Sequence, residues 1–173
     1  MKKLLVVVDM QNDFINGVLK TPEAQDIIPK VVNKIKNWEG EVWSTKDTHY
    51  DNYLQTNEGK HLPIEHCLFD TEGWNLVSPV QEALQKHRGN SLCFYKTTFG
   101  SLELATRIRA FDFDEVELVG VCTDICVITN ALLIKTICPD MQVSVDASCC
   151  AGVTPEKHLE ALSIMKSCHI EVI

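Results

Sequence analysis

Residues 117–127 read Glu-Leu-Val-Gly-Val-Cys-Thr-Asp-Ile-Cys-Val. Val116, Leu118, Val119 and Val121 make an apolar run, as expected of a strand buried on both faces. The run is broken by Gly120 and passes into a helical pattern over Thr123–Ile137. A buried strand feeding directly into a helix is the unit from which α/β sheets are built. Cys126 falls near the start of that helix. A thiol there sits at the positive end of the macrodipole, beside unpaired backbone N–H groups. Those conditions lower a cysteine pKa and make a nucleophile. An isolated cysteine in the same place also fits a plain buried residue, so its partners decide.

The same alternation runs outward in both directions. Leu4–Asp9 is a continuous apolar strand ending in a carboxylate. Pro22–Trp38 has helical spacing at Ile27, Ile28, Val31, Val32, Ile35 and Trp38, with Thr21 as N-cap and Gly40 as the stop. Further strands are expected at Glu41–Lys46, Ser91–Lys96, Met141–Asp146 and His169–Ile173. Helices are expected at Pro79–His87, Ser101–Ala110 and Pro155–Ser167. Residues 47–78 break the rhythm; they are polar and rich in His, Asn and Glu, and a loop that long is usually functional. The order predicts a single domain over residues 1–173, an α/β fold with a doubly wound, six-stranded parallel sheet flanked by helices.

Composition narrows the function. A formal net charge of −8 with scattered Lys and Arg argues against a nucleic-acid partner. No apolar stretch reaches membrane-spanning length and no signal-peptide core follows Met1, so the expectation is a cytoplasmic protein with no membrane partner. The eight cysteines contain no C-x-x-C pair, which removes support for a zinc ribbon or thioredoxin site. Most read as small apolar packing groups, including the adjacent Cys149 and Cys150.

Ligands of such sheets bind outside the carboxyl ends of the strands, where strand order reverses. Asp9, Asp47 and His49, Lys96, Cys122 to Cys126, and Asp146 all fall at expected strand ends, and so on one rim. A carboxylate ending a buried strand is desolvated and becomes a usable base. A lysine beside it steadies both a carboxylate and a thiolate. Singly, Asp9 reads equally as a turn cap and Lys96 as a solvated strand end. Together with Cys126 they make a base, a cation and a nucleophile.

Three segments carry a resemblance: Asp9-Met-Gln-Asn-Asp-Phe14, Tyr95-Lys96-Thr-Thr-Phe-Gly100 and Gly120-Val-Cys-Thr-Asp-Ile-Cys126. In order and spacing they resemble the signature segments of the isochorismatase-like cysteine hydrolases, a superfamily that includes nicotinamidases. The resemblance covers nearly the whole chain. It implies Asp9, Lys96 and Cys126 as catalytic triad, a cis peptide before Cys122, and an oxyanion hole from the backbone N–H groups of Cys122 and Cys126. It also implies a small-molecule amide substrate, and a homo-oligomer is expected because relatives often form one.

An Asp and two His on the long loop are ligand types suited to zinc, iron or manganese. Asp47-Thr-His49 after the second strand and Pro63-Ile-Glu-His66-Cys67 resemble the metal segment of nicotinamidases, which isochorismatases proper lack. The resemblance implies a divalent metal, zinc first, held by Asp47, His49 and His66. It would bind the pyridine nitrogen of the substrate and supply a polarised water. Glu58 is the expected fourth ligand, with His61 as competitor. The segment departs from nicotinamidases in having Leu62-Pro63-Ile64-Glu65 where an aromatic residue precedes Pro-Pro-His. Phe14 and Phe99 are the remaining candidate walls of the substrate pocket. The expected function is a nicotinamidase-like amidohydrolase working through a thioester on Cys126. Hydrolysis of another small amide or ureido compound, and a non-catalytic relative, are the alternatives.

Overall fold

A computed structural model describes all 173 residues. Six parallel strands form the sheet: β1 (Lys3–Val8), β2 (Glu41–Asp47), β3 (Cys93–Lys96), β4 (Glu115–Val121), β5 (Gln142–Ala151) and β6 (Glu171–Val172). Their spatial order is β3-β2-β1-β4-β5-β6. The order reverses between β1 and β4, so the crevice at the carboxyl ends of those two strands is where this architecture binds ligands. Asp9 and Cys122 are the residues that immediately follow them. The expected fold class therefore holds.

The β1 sequence explains why the sheet is central. Leu4, Val6 and Val8 are fully buried in one core, and Leu5 and Val7 in the other. The first core is closed by α6 (Leu102–Phe111), α7 (Ile128–Ile137) and α8 (Pro155–Ser167). The second is closed by α2 (Pro22–Asp26), α3 (Ile28–Asn37) and α5 (Ser78–Lys86). Each such Leu or Val contributes about 1.5–3 kcal/mol by leaving water, so the run tolerates no polar residue until Asp9. Cys149 and Cys150 follow the same alternation: Cys149 packs in the second core and Cys150 in the first. Both are free thiols, as the packing reading expected. No helix is long and apolar enough to cross a membrane.

Three expected elements are corrected. The helix over Pro22–Trp38 is two helices, α2 and α3, meeting at Ile27–Ile28. Pro29 is the cause: it lacks an N–H and its ring would strike the carbonyl four residues back, so it sits in the first turn of a new helix. Thr21 caps α2 as expected, accepting from the Ala24 N–H at 3.1 Å. The final strand is shorter than expected, and β5 runs well past Asp146.

That last difference moves Asp146 off the rim. Leu118 pairs with Val145, but Gly120 pairs with Cys150, so residues 146–149 bulge from β5. Asp146 sits at the bulge, accepting from the Ser148 N–H (2.9 Å) and hydroxyl (2.7 Å). It also pairs with Lys34 of α3, as does Glu117.

Gly120 is required where the bulge begins. Its φ is +119°, and a Cβ there would strike the carbonyl oxygen of Val8. The close approach draws the ends of β1 and β4 together at the switch point. The long segment 47–78 is built rather than loose. It holds a 3-10 turn (Tyr53–Gln55) and α4 (Asn57–His61), and it is tied back to α1 (Asn12–Ile15), where Asp13 Oδ2 accepts from the Cys67 N–H at 2.7 Å.

Candidate active site and metal centre

The carboxyl ends of β1, β2, β3 and β4 bring Asp9, Asp47, Lys96 and Cys126 together. Lys96 is the hub. Its Nζ lies 2.7 Å from Asp9 Oδ2, 3.3 Å from Asp47 Oδ1 and 3.5 Å from Cys126 Sγ. All four residues are buried. Asp9 leaves β1 with φ +48° and is fixed by Thr45 of the neighbouring strand. The Thr45 hydroxyl donates to Asp9 Oδ1 at 2.6 Å and accepts from the Asp9 N–H at 3.2 Å. Asp9 Oδ2 has Lys96 beside it but no aligned hydrogen bond, so it keeps a lone pair for another proton.

Burial raises the Asp9 carboxyl above its ordinary range, against the pull of Lys96 and Thr45. Burial acts to discharge Lys96, but the charges of Asp9, Cys126 and Asp47 outweigh it and hold the ammonium well above its ordinary value. The Cys126 thiol is pushed well up, first by burial and then by Asp9, with Lys96 opposing. This corrects the expectation of a thiol acidified by a helix start. Buried beside a carboxylate, the resting group is a thiol that needs a base.

The helix start itself is unusual. Thr123–Val127 forms a π turn before α7, with the Cys122 carbonyl accepting from both the Ile125 and Val127 N–H groups at 3.1 and 3.0 Å. The Val121–Cys122 peptide is cis. Asn130, fully buried on α7, fastens this turn. Its Nδ2 donates to the Cys126 carbonyl at 2.8 Å and its Oδ1 accepts from the Ser101 N–H at 2.9 Å. Nothing in the sequence marks it, because an Asn inside a helix reads as a mild defect. Asn130→Ala strands the buried Ser101 N–H and is expected to cost about 1–3 kcal/mol, read as a lower urea midpoint at unchanged slope.

A second cluster adjoins the first. The ligand atoms of Asp47, His49, Glu58 and His66 all lie within 4.8 Å of one another. His49 Nε2 and His66 Nε2 are 2.9 and 3.4 Å from Asp47 Oδ2, and 3.6 and 3.8 Å from Glu58 Oε1. His66 Nδ1 donates to the Ile64 carbonyl at 2.8 Å, which fixes the tautomer and aims Nε2 inward. Two imidazoles and two carboxylates, three of the four residues buried, are a donor set that fits a divalent metal. His61 lines the same cavity but is not in the cluster; its Nδ1 bonds the Asn57 carbonyl at 2.8 Å. Cys67 also lies outside it.

Gln11 and Tyr53 are functional neighbours that the sequence reading missed. Gln11 Nε2 donates to the carbonyls of Asp47 (2.8 Å) and Trp74 (2.9 Å), and its Oε1 accepts from the Asp47 N–H at 2.7 Å. It thereby fixes the backbone of a cluster residue. Tyr53 is fully buried, with ring centroids 4.6 Å from His49 and 5.1 Å from His66. Burial, with Glu58 and Asp47 nearby, pushes its phenol up to about 12. An aromatic residue four positions after His49 was the available signal.

Both clusters open into one cavity of about 1030 Å³. Phe14 and Phe99 line it, Phe14 with its ring 5.5 Å from His66 and Phe99 nearly half exposed. Cys122, Ile125 and Cys126 line it as well.

A parallel sheet with this order, and a buried Asp–Lys–Cys group at its switch point, define an α/β protein with its ligand crevice at the carboxyl ends of β1 and β4. The Isochorismatase domain family model matches residues 3–173, so the chain belongs to the isochorismatase family. A Bacillus subtilis (strain 168) relative, described as an uncharacterized isochorismatase family protein PncA, is 29% identical, covering 94% of this chain and 93% of that one. The crystal structure of nicotinamidase/pyrazinamidase PncA from Bacillus subtilis is 28% identical and superposes with a TM-score of 0.82 over 99% of each chain. The Pyrococcus horikoshii pyrazinamidase, solved in complex with zinc, is also 28% identical, with a TM-score of 0.82 over 100% of this chain and 99% of that one.

Proposed function

We propose that the chain is an amide hydrolase acting through a thioester on Cys126, with nicotinamide as substrate, water as co-substrate, and nicotinate and ammonia as products. The observation that carries this reading is the position of Lys96 Nζ, 2.7 Å from Asp9 Oδ2 and 3.5 Å from Cys126 Sγ. Asp9 takes the thiol proton, and Lys96 holds the resulting anion. The thiolate adds to the amide carbonyl. The N–H groups of Cys122 and Cys126 bind the oxyanion. Asp9 returns its proton to the leaving nitrogen, and ammonia departs. A water then attacks the thioester with Asp9 again as base, releasing the carboxylic acid and restoring the thiol.

Asp47, His49, Glu58 and His66 would hold a divalent metal, zinc by preference, which supplies Lewis acidity beside the substrate ring when bound. Phe14 and Phe99 supply flat walls for an aromatic ring, and Tyr53 backs the two histidines behind the cavity. A second substrate reading rests on the cavity. At about 1030 Å³ it lies at the upper end of small-molecule pockets, roomy enough for a larger amide or a ureido compound. The chain's small-molecule chemistry and lack of a membrane-spanning helix suit a cytoplasmic enzyme.

Ammonia release is the test. The zinc-loaded protein is expected to release one ammonia per nicotinate from nicotinamide, and to lose that activity on chelation. Release from a ureido substrate but not from nicotinamide would select the second reading. No release from any small amide would leave only a non-catalytic relative.

A further inference from the structure

Lys46 precedes Asp47 in β2, and the strand alternation sends its side chain to the opposite face of the sheet. There it shares a surface with Ser44 and with their register partners on β3, Cys93 and Tyr95. Lys46 is only 7% exposed, and its ammonium makes no ion pair; Asp70 is the one carboxylate whose charge acts on it. The other largely buried lysines are paired: Lys34 with Glu117 and Asp146, Lys96 with Asp9 and Asp47. Lys46 Nζ instead rests 3.4 Å from the centroid of the Trp74 ring, with Tyr95 at 5.8 Å. An aromatic face attracts a cation but leaves its hydrogen-bonding protons unused.

The ammonium lines a cavity of about 480 Å³ between β2, β3 and α5. Although 24 residues of the chain are acidic, none lines this space. Its polar groups include the Ser44 and Ser91 hydroxyls and the Gln81 and Gln85 amides, all able to donate. Its apolar walls are Leu76, Leu84 and Tyr95. The ammonium therefore keeps its hydrogen-bonding protons for solvent or for a ligand that enters the cavity.

We propose that this cavity is a second binding site, taking a small organic carboxylate with its carboxyl group on Lys46 and its apolar body against Leu76, Leu84 and Tyr95. It lies across the sheet from the catalytic cavity and shares no lining residue with it. The two are joined through Trp74. Its indole Nε1–H donates to Thr48 Oγ1 at 2.9 Å, between Asp47 and His49, and its carbonyl accepts from Gln11 at 2.9 Å. A carboxylate that draws Lys46 off the Trp74 ring therefore reports to the segment carrying the metal-site residues.

Titration of the ¹⁵N-labelled, zinc-loaded protein with sodium benzoate tests this. A saturable shift of the Trp74 indole N–H is expected, at least tenfold weaker in apparent affinity in Lys46→Met and Lys46→Gln, and kept within about threefold in Lys46→Arg. The Trp38 and Trp43 indole signals verify that each variant is folded. Uncharged benzamide is expected to leave the Trp74 signal in place at the same concentrations. Equal benzoate affinity in folded Lys46→Met or Lys46→Gln protein would overturn the site. An equal response to benzamide would overturn the role of the charge, and inorganic phosphate binding as tightly as benzoate would overturn the organic carboxylate as ligand.

Discussion

Asp9→Asn and Cys126→Ala are each expected to lower turnover of nicotinamide by roughly 10⁴-fold or more, and the double variant to lose no more than the worse single one. The equality follows from the resting state of the site. Burial and the Asp9 charge hold the Cys126 thiol well above its ordinary pKa, so almost no thiolate exists until Asp9 accepts the proton. Asp9→Asn removes the smaller of those two causes but burial, the larger, remains, so a protein without the base is nearly as inert as one without the nucleophile. Residual activity in Asp9→Asn is expected to rise with pH, since solvent hydroxide must replace the missing base, whereas Cys126→Ala is expected to stay flat. The fold survives Asp9→Asn because the amide keeps an oxygen for Thr45, and Lys96 keeps Asp47 at 3.3 Å as counter-charge. Initial rates of ammonia release, with circular dichroism to verify folding, measure the effect. An Asp9→Asn protein retaining a tenth of the activity would refute Asp9 as the base.

The legible part of this chain was the part whose physics is local. Leu4–Val8 declares a doubly buried strand because every second residue must leave water on a different face. The doubly wound parallel sheet then follows from the βα alternation, and with it the placing of Asp9, Lys96 and Cys126 on one rim. What stayed hidden depends on partners far away in sequence. The bulge at residues 146–149 is set by pairing with β4 and by Lys34 on α3, so Asp146 mimics a strand end. The raised thiol of Cys126 depends on a carboxylate from β1, which no reading of residues 120–127 alone contains. Asn130 and Gln11 hold backbone groups through side-chain amides, and amides carry no periodicity. Pro29 was legible and overlooked: its ring alone excludes one continuous helix through residues 22–38.

Zinc is expected to raise the thermal midpoint by roughly 10 °C when free metal stands a thousandfold above its dissociation constant. That excess corresponds to about 4 kcal/mol of linkage, and a chain of this size gains about 2–4 °C per kcal/mol. The effect is large because the four side chains come from three stretches that the unfolded chain does not hold together. Asp47 ends β2 and His49 follows it, Glu58 lies on α4, and His66 follows the turn after α4. Bound metal therefore fastens the whole segment 47–66 to the sheet. His66→Ala is expected to abolish most of the shift, since His66 is buried and aimed by its bond to the Ile64 carbonyl. Glu58→Gln is expected to remove less, because the Glu58 side chain is 22% exposed and water can replace it. His61→Ala is the discriminating control: His61 lines the same cavity, but its ring bonds the Asn57 carbonyl and lies outside the cluster, so the shift should be unchanged. Calorimetric melting with zinc in that excess and after chelation measures all four proteins. A full shift in His66→Ala, or its loss in His61→Ala, would mean that the metal is held by a different set of ligands from the one the buried cluster presents.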